Sequence, residues 1–188
     1  MSTAARKPQV SEAEYLSAEL TCRDKHEYVG GQVFAESGAS IRHNQIAVNV
    51  LFALRSKASS QCWVSIADVK FKANQLYYYP DVMVACAPKS DEYCESQPCL
   101  IVEVLSESTE GIDRGEKLHN YQTASELEAY LLVSQKERRV DVFKRSGAFW
   151  RFESVTQGGQ IELDCPLMTL TLDAIYQGIE PDASDSVR

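Results

Sequence analysis

Apolar residues recur along this chain in three rhythms, and the rhythms divide it into elements. Between Ile41 and Lys57, the residues Ile46, Val50 and Leu54 repeat every four positions with Ala47 and Leu51 beside them. That spacing gives a helix one apolar face, and Ser40 stands where an N-cap belongs. A shorter helix is predicted to start after Ser11 and to end near Leu20, because Glu14 completes a capping box. Period-two alternation follows from Cys62 to Lys72, with Val64, Ile66, Val69 and Phe71 apolar. Its phase breaks near Ala67-Asp68, which marks a bulge or a strand end. Earlier, Tyr28-Val29-Gly30-Gly31-Gln32-Val33-Phe34 places Gly-Gly between two apolar runs, a hairpin signal. A turn at Asn74-Gln75 leads into Leu76–Tyr79 and then Pro80-Asp81, and the strands about it are predicted to form an antiparallel hairpin.

The third rhythm is an unbroken apolar run. Leu100 to Leu105 is apolar but for one residue, as expected of a central strand covered on both faces. Residues 87–98, polar and proline-bounded, read as a loop. Helical spacing returns from Thr109 to Thr123. Strands are predicted over 128–133, 139–143 and 149–154, and a closing helix over 170–177. Residues 1–10 read as a loose arm and 182–188 as a polar tail, leaving one domain at 11–181. No internal repeat is found. The pattern predicts an α/β fold with a largely central mixed sheet.

Composition narrows the setting. At 188 residues with a 44% hydrophobic share, the chain can bury a sizeable core. No apolar run approaches the roughly 18 residues that span a membrane, and Met1–Val10 lacks a signal peptide's apolar core. A cytoplasmic location, away from any membrane, is the expectation. The net charge of -8 argues against a general nucleic-acid coat protein but leaves room for an acidic metal site. None of the six cysteines makes a Cys-x-x-Cys pair. They are expected to be reduced thiols, since a zinc site would have to draw ligands from scattered positions.

Chemistry concentrates between Tyr79 and Tyr121. Asp81 and Glu103 each sit inside an apolar run, where a bare carboxylate costs several kcal/mol unless paired or bound to a cation. Two such groups point to a cation between them. Residues 103 and 105 share a strand face, but position 105 is Leu, so no ammonium stands beside Glu103 on that strand. Asp113, Lys117 and Tyr121, spaced by four, stack on one face of the following helix. If that helix folds back over the strand end, Lys117 can fill the place.

The ordered string Pro80-Asp81, Glu103-Val104-Leu105-Ser106, Asp113, Lys117 and Tyr121 resembles a bacterial group of restriction-endonuclease-like proteins. This is the Uma-two family, or domain of unknown function 820, within the PD-(D/E)XK nuclease superfamily. The resemblance covers nearly the whole chain, from the 28–36 segment and His43 to the strands after Leu131. It implies a restriction-endonuclease-like fold and hydrolysis of nucleic-acid phosphodiester bonds, DNA ahead of RNA. Asp81, Glu103 and the Val104 carbonyl would hold Mg²⁺ or Mn²⁺, hard ions suited to oxygen donors. Lys117 would replace the usual lysine of the E-x-K motif, a departure at Leu105 that the family's own pattern shares. Asp113 and Tyr121 would hold Lys117 in place, and Glu36 and His43 would line the same cleft. By analogy with the superfamily, the protein would act as a homodimer.

Plainer readings stand beside these. Pro-Asp at a strand start is often a turn cap, Glu103 could pair with a core cation, and Lys117 could be a surface lysine. Tyr77-Tyr78-Tyr79 could stack on bases or simply put tyrosines on both faces of a strand. Lys136, Arg138, Arg139, Lys144 and Arg145 are the candidate phosphate contacts, yet a charged hairpin or a protected sheet edge has the same composition. The alternative to a nuclease is an inactive module that keeps the fold for nucleic-acid binding or protein assembly.

Overall fold

The computed structural model describes residues 9–36, 38–89 and 91–180. The first elements are helix α1 (Glu12–Glu19), strands β1 (His26–Val29) and β2 (Gln32–Ala35), and helix α2 (Ile41–Lys57). Six strands follow: β3 (Trp63–Ile66), β4 (Lys70–Ala73), β5 (Leu76–Tyr78), β6 (Val82–Ala85), β7 (Cys94–Glu95) and β8 (Leu100–Val104). A helical segment is built from α3 (Glu110–Ile112), a π-helical turn (Asp113–Lys117) and α4 (Leu118–Gln122). The remainder comprises β9 (Ala129–Val133), β10 (Arg139–Ser146), β11 (Phe149–Thr156), β12 (Gln160–Leu163), β13 (Met168–Thr171) and helix α5 (Leu172–Ile175).

The main sheet has the order β11-β10-β9-β8-β6-β3 and is mixed, with β8 and β9 parallel. Its centre is β8, buried at every position. Alternation along β8 sorts its side chains between two cores. Leu100, Val102 and Val104 join Ile46, Val50 and Leu54 of α2 in the larger core. Ile101 and Leu105 face the other way, into a core built around Tyr78, Tyr121, Leu127 and Tyr130. Helices thus cover both faces, the α/β architecture that the pattern predicts.

Both helix starts follow the capping logic. Ser11 and Glu14 form a reciprocal capping box at α1, and Ser40 Oγ accepts the His43 N–H at 3.0 Å at α2. The Gly30-Gly31 hairpin joins β1 and β2, with both glycines at positive φ. It belongs to a second sheet of order β2-β1-β5-β4-β7.

That second sheet corrects part of the strand reading. The phase break at Ala67-Asp68 is a full strand end: β3 pairs with β6 in the main sheet, while β4 pairs with β5 in the second. The Asn74-Gln75 turn does make the β4–β5 hairpin, with Asn74 at φ 52°. However, β5 and β6 do not form one strand. Proline lacks an N–H for a ladder, and at Pro80 the chain passes from one sheet to the other. Tyr77 packs with Tyr15 and Tyr28, whereas Tyr78 packs in the second core, so the tyrosine run serves two faces. The expected loop at 87–98 contains the short β7, parallel to β4. The closing helix is shorter than expected, because residues 168–171 pair with 160–163 as a hairpin.

The expected arm at residues 1–10 falls outside the described residues except for Gln9 and Val10, and the tail at 182–188 falls wholly outside them. No helix among the described residues is long and apolar enough to cross a membrane.

The cysteine expectation is overturned. Two disulfides, Cys62–Cys86 and Cys99–Cys165, join segments 24 and 66 residues apart, leaving Cys22 and Cys94 free. The cause is register: Trp63 pairs with Ala85, so the next step outward sets Cys62 against Cys86. No local spacing in the chain encodes that proximity.

Candidate metal and catalytic site

Asp81 immediately precedes β6, and Glu103 lies near the end of β8. The antiparallel register pairs Met83 with Ile101, so two residues further along Asp81 stands opposite Glu103. Backbone hydrogen bonds lock the two carboxylates together. The Asp81 N–H donates to Glu103 Oε2 at 3.2 Å, and the Val104 N–H donates to Asp81 Oδ2 at 2.7 Å. His43, from the first turn of α2, sets its Nε2 2.9 Å from Asp81 Oδ1.

The helical segment delivers the ammonium. Lys117 Nζ lies 2.9 Å from Glu27 Oε1, 3.2 Å from Glu103 Oε1 and 3.6 Å from Asp113 Oδ1. Tyr121 donates its hydroxyl to the same Glu103 Oε1 at 2.8 Å. Leu105 fills core space instead, so the lysine enters Glu103's surroundings from the helix rather than from the strand. The π-helical turn spans Asp113–Lys117, and such single turns recur at functional sites. The predicted continuous helix is therefore interrupted where it faces the carboxylates.

One member of the constellation escaped the sequence reading. Glu27, on β1, is the nearest carboxylate to Lys117, and it also accepts the Tyr79 N–H at 3.3 Å. Its only signal was an acid between half-apolar neighbours in a short alternating strand, which is ordinary for a solvent face.

These groups line a cleft of about 1070 Å³ that also takes in Glu36, Ser106, Thr109 and Gln135. Among its lining residues Glu27, Glu36, Asp81, Glu103 and Asp113 gather around the buried Lys117 ammonium, and carboxylates outnumber cations along the whole cleft. The imbalance appears in their proton affinities. Burial drives the Glu103 carboxyl well above the ordinary range; Lys117 opposes that shift, and Asp81 and Asp113 add to it. Burial raises Asp113 in the same way. For Lys117, burial alone would weaken the proton's hold, but Glu103, Glu27 and Asp113 together raise it well above its usual value. The lysine is a firmly charged counterion.

Glu36 is pushed by burial up to about 7 from an ordinary 4.5. An acid that keeps its proton longer in the folded state loses stability as pH rises through the window between the two values. The metal-free protein should therefore lose on the order of 1 kcal/mol between about pH 4.5 and 7 through this group, allowing for solvent screening. Urea unfolding across that range, with Glu36→Gln lacking this component, checks it.

The donor set fits a hard divalent cation. All candidates are oxygens, two carboxylates face each other, and acidic groups outnumber basic ones in the cleft. Asp113 Oδ1 is buried without a hydrogen bond. In an extended strand a residue's N–H and C=O point to the same edge, so the Val104 carbonyl faces the Asp81 side, as its N–H does. Asp81, Glu103 and that carbonyl are the groups that could hold an ion.

Comparison with known proteins decides the family. The family model described as "Putative restriction endonuclease" (Uma2) matches residues 13–174. The chain belongs to the Uma2 family. Relatives of this Uma2 protein include two from Synechocystis sp., both bearing the name uncharacterized protein. One, slr1290, is 35% identical over 92% of this chain and 94% of its own length. The other, sll1609, is 33% identical over 72% of this chain and 80% of its own. Among solved structures, a protein from Anabaena variabilis, titled a putative nuclease belonging to DUF820, superposes with a TM-score of 0.70. That alignment covers 86% of this chain and 96% of the other at 13% identity, so it supports the nuclease-like fold alone.

The structure brings Asp81, Glu103, Val104, Lys117, Asp113, His43 and Glu36 to one cleft, with the buried Tyr121 hydrogen-bonded to Glu103 behind it. It does not bring the basic candidates there. Arg145 donates to the Leu127 and Ala124 carbonyls and lies over Trp150, which makes it a packing residue. Arg138 pairs with Asp173, and Arg139 with Glu137 at 3.0 Å. Lys144 is half-buried on β10. Lys136 alone approaches the cleft, 3.5 Å from the exposed, cleft-lining Glu107.

Proposed function

We propose that this protein is a metal-dependent nuclease that hydrolyses nucleic-acid phosphodiester bonds, with DNA its first substrate. The observation that carries this reading is the facing pair Asp81 and Glu103, cross-linked by backbone hydrogen bonds, with the Lys117 ammonium on Glu103. Asp81, Glu103 and the Val104 carbonyl would hold Mg²⁺ or Mn²⁺, which supplies Lewis acidity toward the phosphodiester and its attacking water. The chain's own groups do the rest. Lys117 offers a preorganised positive charge where negative charge builds on the phosphoryl oxygens. Tyr121 and Asp113 fix the surroundings of that ammonium, and His43 holds Asp81 in one orientation. Beside the cleft, Lys136 would join the lining Arg23 and Lys25 in meeting a phosphate backbone. Cutting both strands of a duplex would call for two such sites, as in a homodimer.

Calorimetric titration with Mn²⁺ tests the site without knowledge of a target sequence. Wild type should bind, Asp81→Ala and Glu103→Ala should lose binding at least tenfold, and Lys117→Ala should still bind. Incubation with supercoiled plasmid and with RNA, with and without chelator, then separates the substrates. Absence of Mn²⁺ binding at millimolar concentration would sink the metal-dependent reading.

A further inference from the structure

A second cluster of metal-ligating side chains lies away from the acidic cleft. Cys99 immediately precedes β8 and Glu103 lies four residues on, so roughly 13 Å of extended chain separates them. Around Cys99 gather Cys62, Cys86 and Cys165, drawn from the start of β3, the end of β6 and the turn between β12 and β13. Besides its bonded partner Cys62, Cys86 has its Sγ 3.4 Å from that of Cys165 and 3.9 Å from that of Cys99. Each of these is a contact between the two disulfides, not within one. The Cys86, Cys99 and Cys165 sulfurs all lie within 4.8 Å of one another.

Three sulfurs from three chain segments lie within metal-ligating reach of one another, and the fourth, that of Cys62, is bonded to one of them. Zinc bound by four thiolates at about 2.3 Å in a tetrahedron sets neighbouring sulfurs about 3.8 Å apart. The separations between the two disulfides here, 3.4 and 3.9 Å, bracket that spacing. Thiolates are soft ligands that select zinc over magnesium, so this cluster and the carboxylate cleft would not compete for one ion. The surroundings also suit a closed structural site, since Cys99 is buried and the other three are half-buried.

We propose that Cys62, Cys86, Cys99 and Cys165, in their reduced state, form a tetrathiolate site for Zn²⁺ that ties the β12–β13 hairpin to the end of the main sheet. The two disulfides are the oxidised form of the same cluster. In a reducing compartment such thiols stay unpaired and available to metal. With a phosphine as reductant, each disulfide and one water yield two thiols and one phosphine oxide. Zinc then displaces four protons, which pass to the buffer.

The test uses the full chain, reduced anaerobically with a phosphine, desalted, and titrated with Co²⁺ as a spectroscopic probe. One Co²⁺ per chain should bind with intense thiolate charge-transfer bands and tetrahedral ligand-field absorption, and Zn²⁺ should bleach them. Cys165→Ser should lose the four-sulfur spectrum, while Cys22→Ser, Cys94→Ser and Asp81→Ala should keep it. Because Cys165→Ser could fail to fold, wild type supplies an independent readout. With Zn²⁺ present, a chromogenic disulfide reagent should meet the exposed Cys22 fast and the half-buried Cys94 more slowly, while the four cluster thiols stay protected until a chelator removes the metal. A folded, reduced protein that binds no Co²⁺ through sulfur overturns the proposal. So does equal reactivity of all six thiols under Zn²⁺, or unfolding on reduction despite Zn²⁺ throughout.

Discussion

Replacing Lys117 by methionine should destabilise the protein by about 3–5 kcal/mol at pH 8, the cost of leaving buried carboxylates without their cation. Methionine keeps the length and apolar stem and removes the ammonium, including its place over the Tyr78 ring, so the change is largely one of charge. The sign of the pH dependence follows from the acids, not the lysine. Glu103 and Asp113 already have raised pKa values in the folded protein, and removal of Lys117 would raise them further. A folded-state pKa above the unfolded one means stability falls as pH rises between the two. The gap between wild type and Lys117→Met should therefore be small near pH 4.5 and widen toward pH 8. Urea unfolding at several pH values measures it. The double variant Lys117→Met with Glu103→Gln should regain part of the loss, since it removes the carboxylate that Lys117 neutralises together with Tyr121. Equal stability of wild type and Lys117→Met at pH 8 would mean the ammonium is not the counterion of this cluster.

The same residues show why some of the site could be read from the chain and some could not. Asp81 and Glu103 stand out because each interrupts an apolar run, and a charge there calls for compensation. Lys117 could be placed because helical spacing set it with Asp113 and Tyr121, although the π-helical turn between them gave no sign of itself. Glu27 was hidden. An acid in a four-residue alternating strand fits a solvent face, and only the pairing of β1 with β5 turns it toward the lysine. The second sheet was obscured for a related reason: Leu76–Ala85 reads as one strand, and the division falls at a single proline. The hairpin of β12 and β13 lay in a plain alternation of Ile161 and Leu163, too short at four residues to stand out. Cysteine pairing depended on long-range register, which no local pattern carries. For the basic cluster, composition cannot tell an arginine that meets phosphate from one that ties down a loop, as Arg145 does.

Asp81→Asn should separate folding from function more cleanly than any other change in the cleft. Its Oδ2 accepts the Val104 N–H and its Oδ1 faces His43 Nε2. Asparagine can keep both contacts, with its oxygen on Val104 and its amide donating to a neutral imidazole. Apoprotein stability should thus move by no more than about 1 kcal/mol. What asparagine cannot supply is the negative charge that draws a hard cation from its hydration shell. For wild type, Mg²⁺ at a hundredfold excess over its Kd should add about 2.7 kcal/mol of stability. In a chain of this size that corresponds to a rise in Tm of about 5–10 °C. Asp81→Asn should show almost none of that rise and should cleave at least about 10²-fold more slowly, a loss of roughly 2.7 kcal/mol in transition-state stabilisation. The pairing of the two readouts is what makes the variant informative. A lost thermal shift with retained cleavage would place the catalytic ion elsewhere. A retained shift with lost cleavage would assign Asp81 to the reacting water or phosphate rather than to the metal. Loss of both in a protein that still folds is the outcome that the facing carboxylates predict.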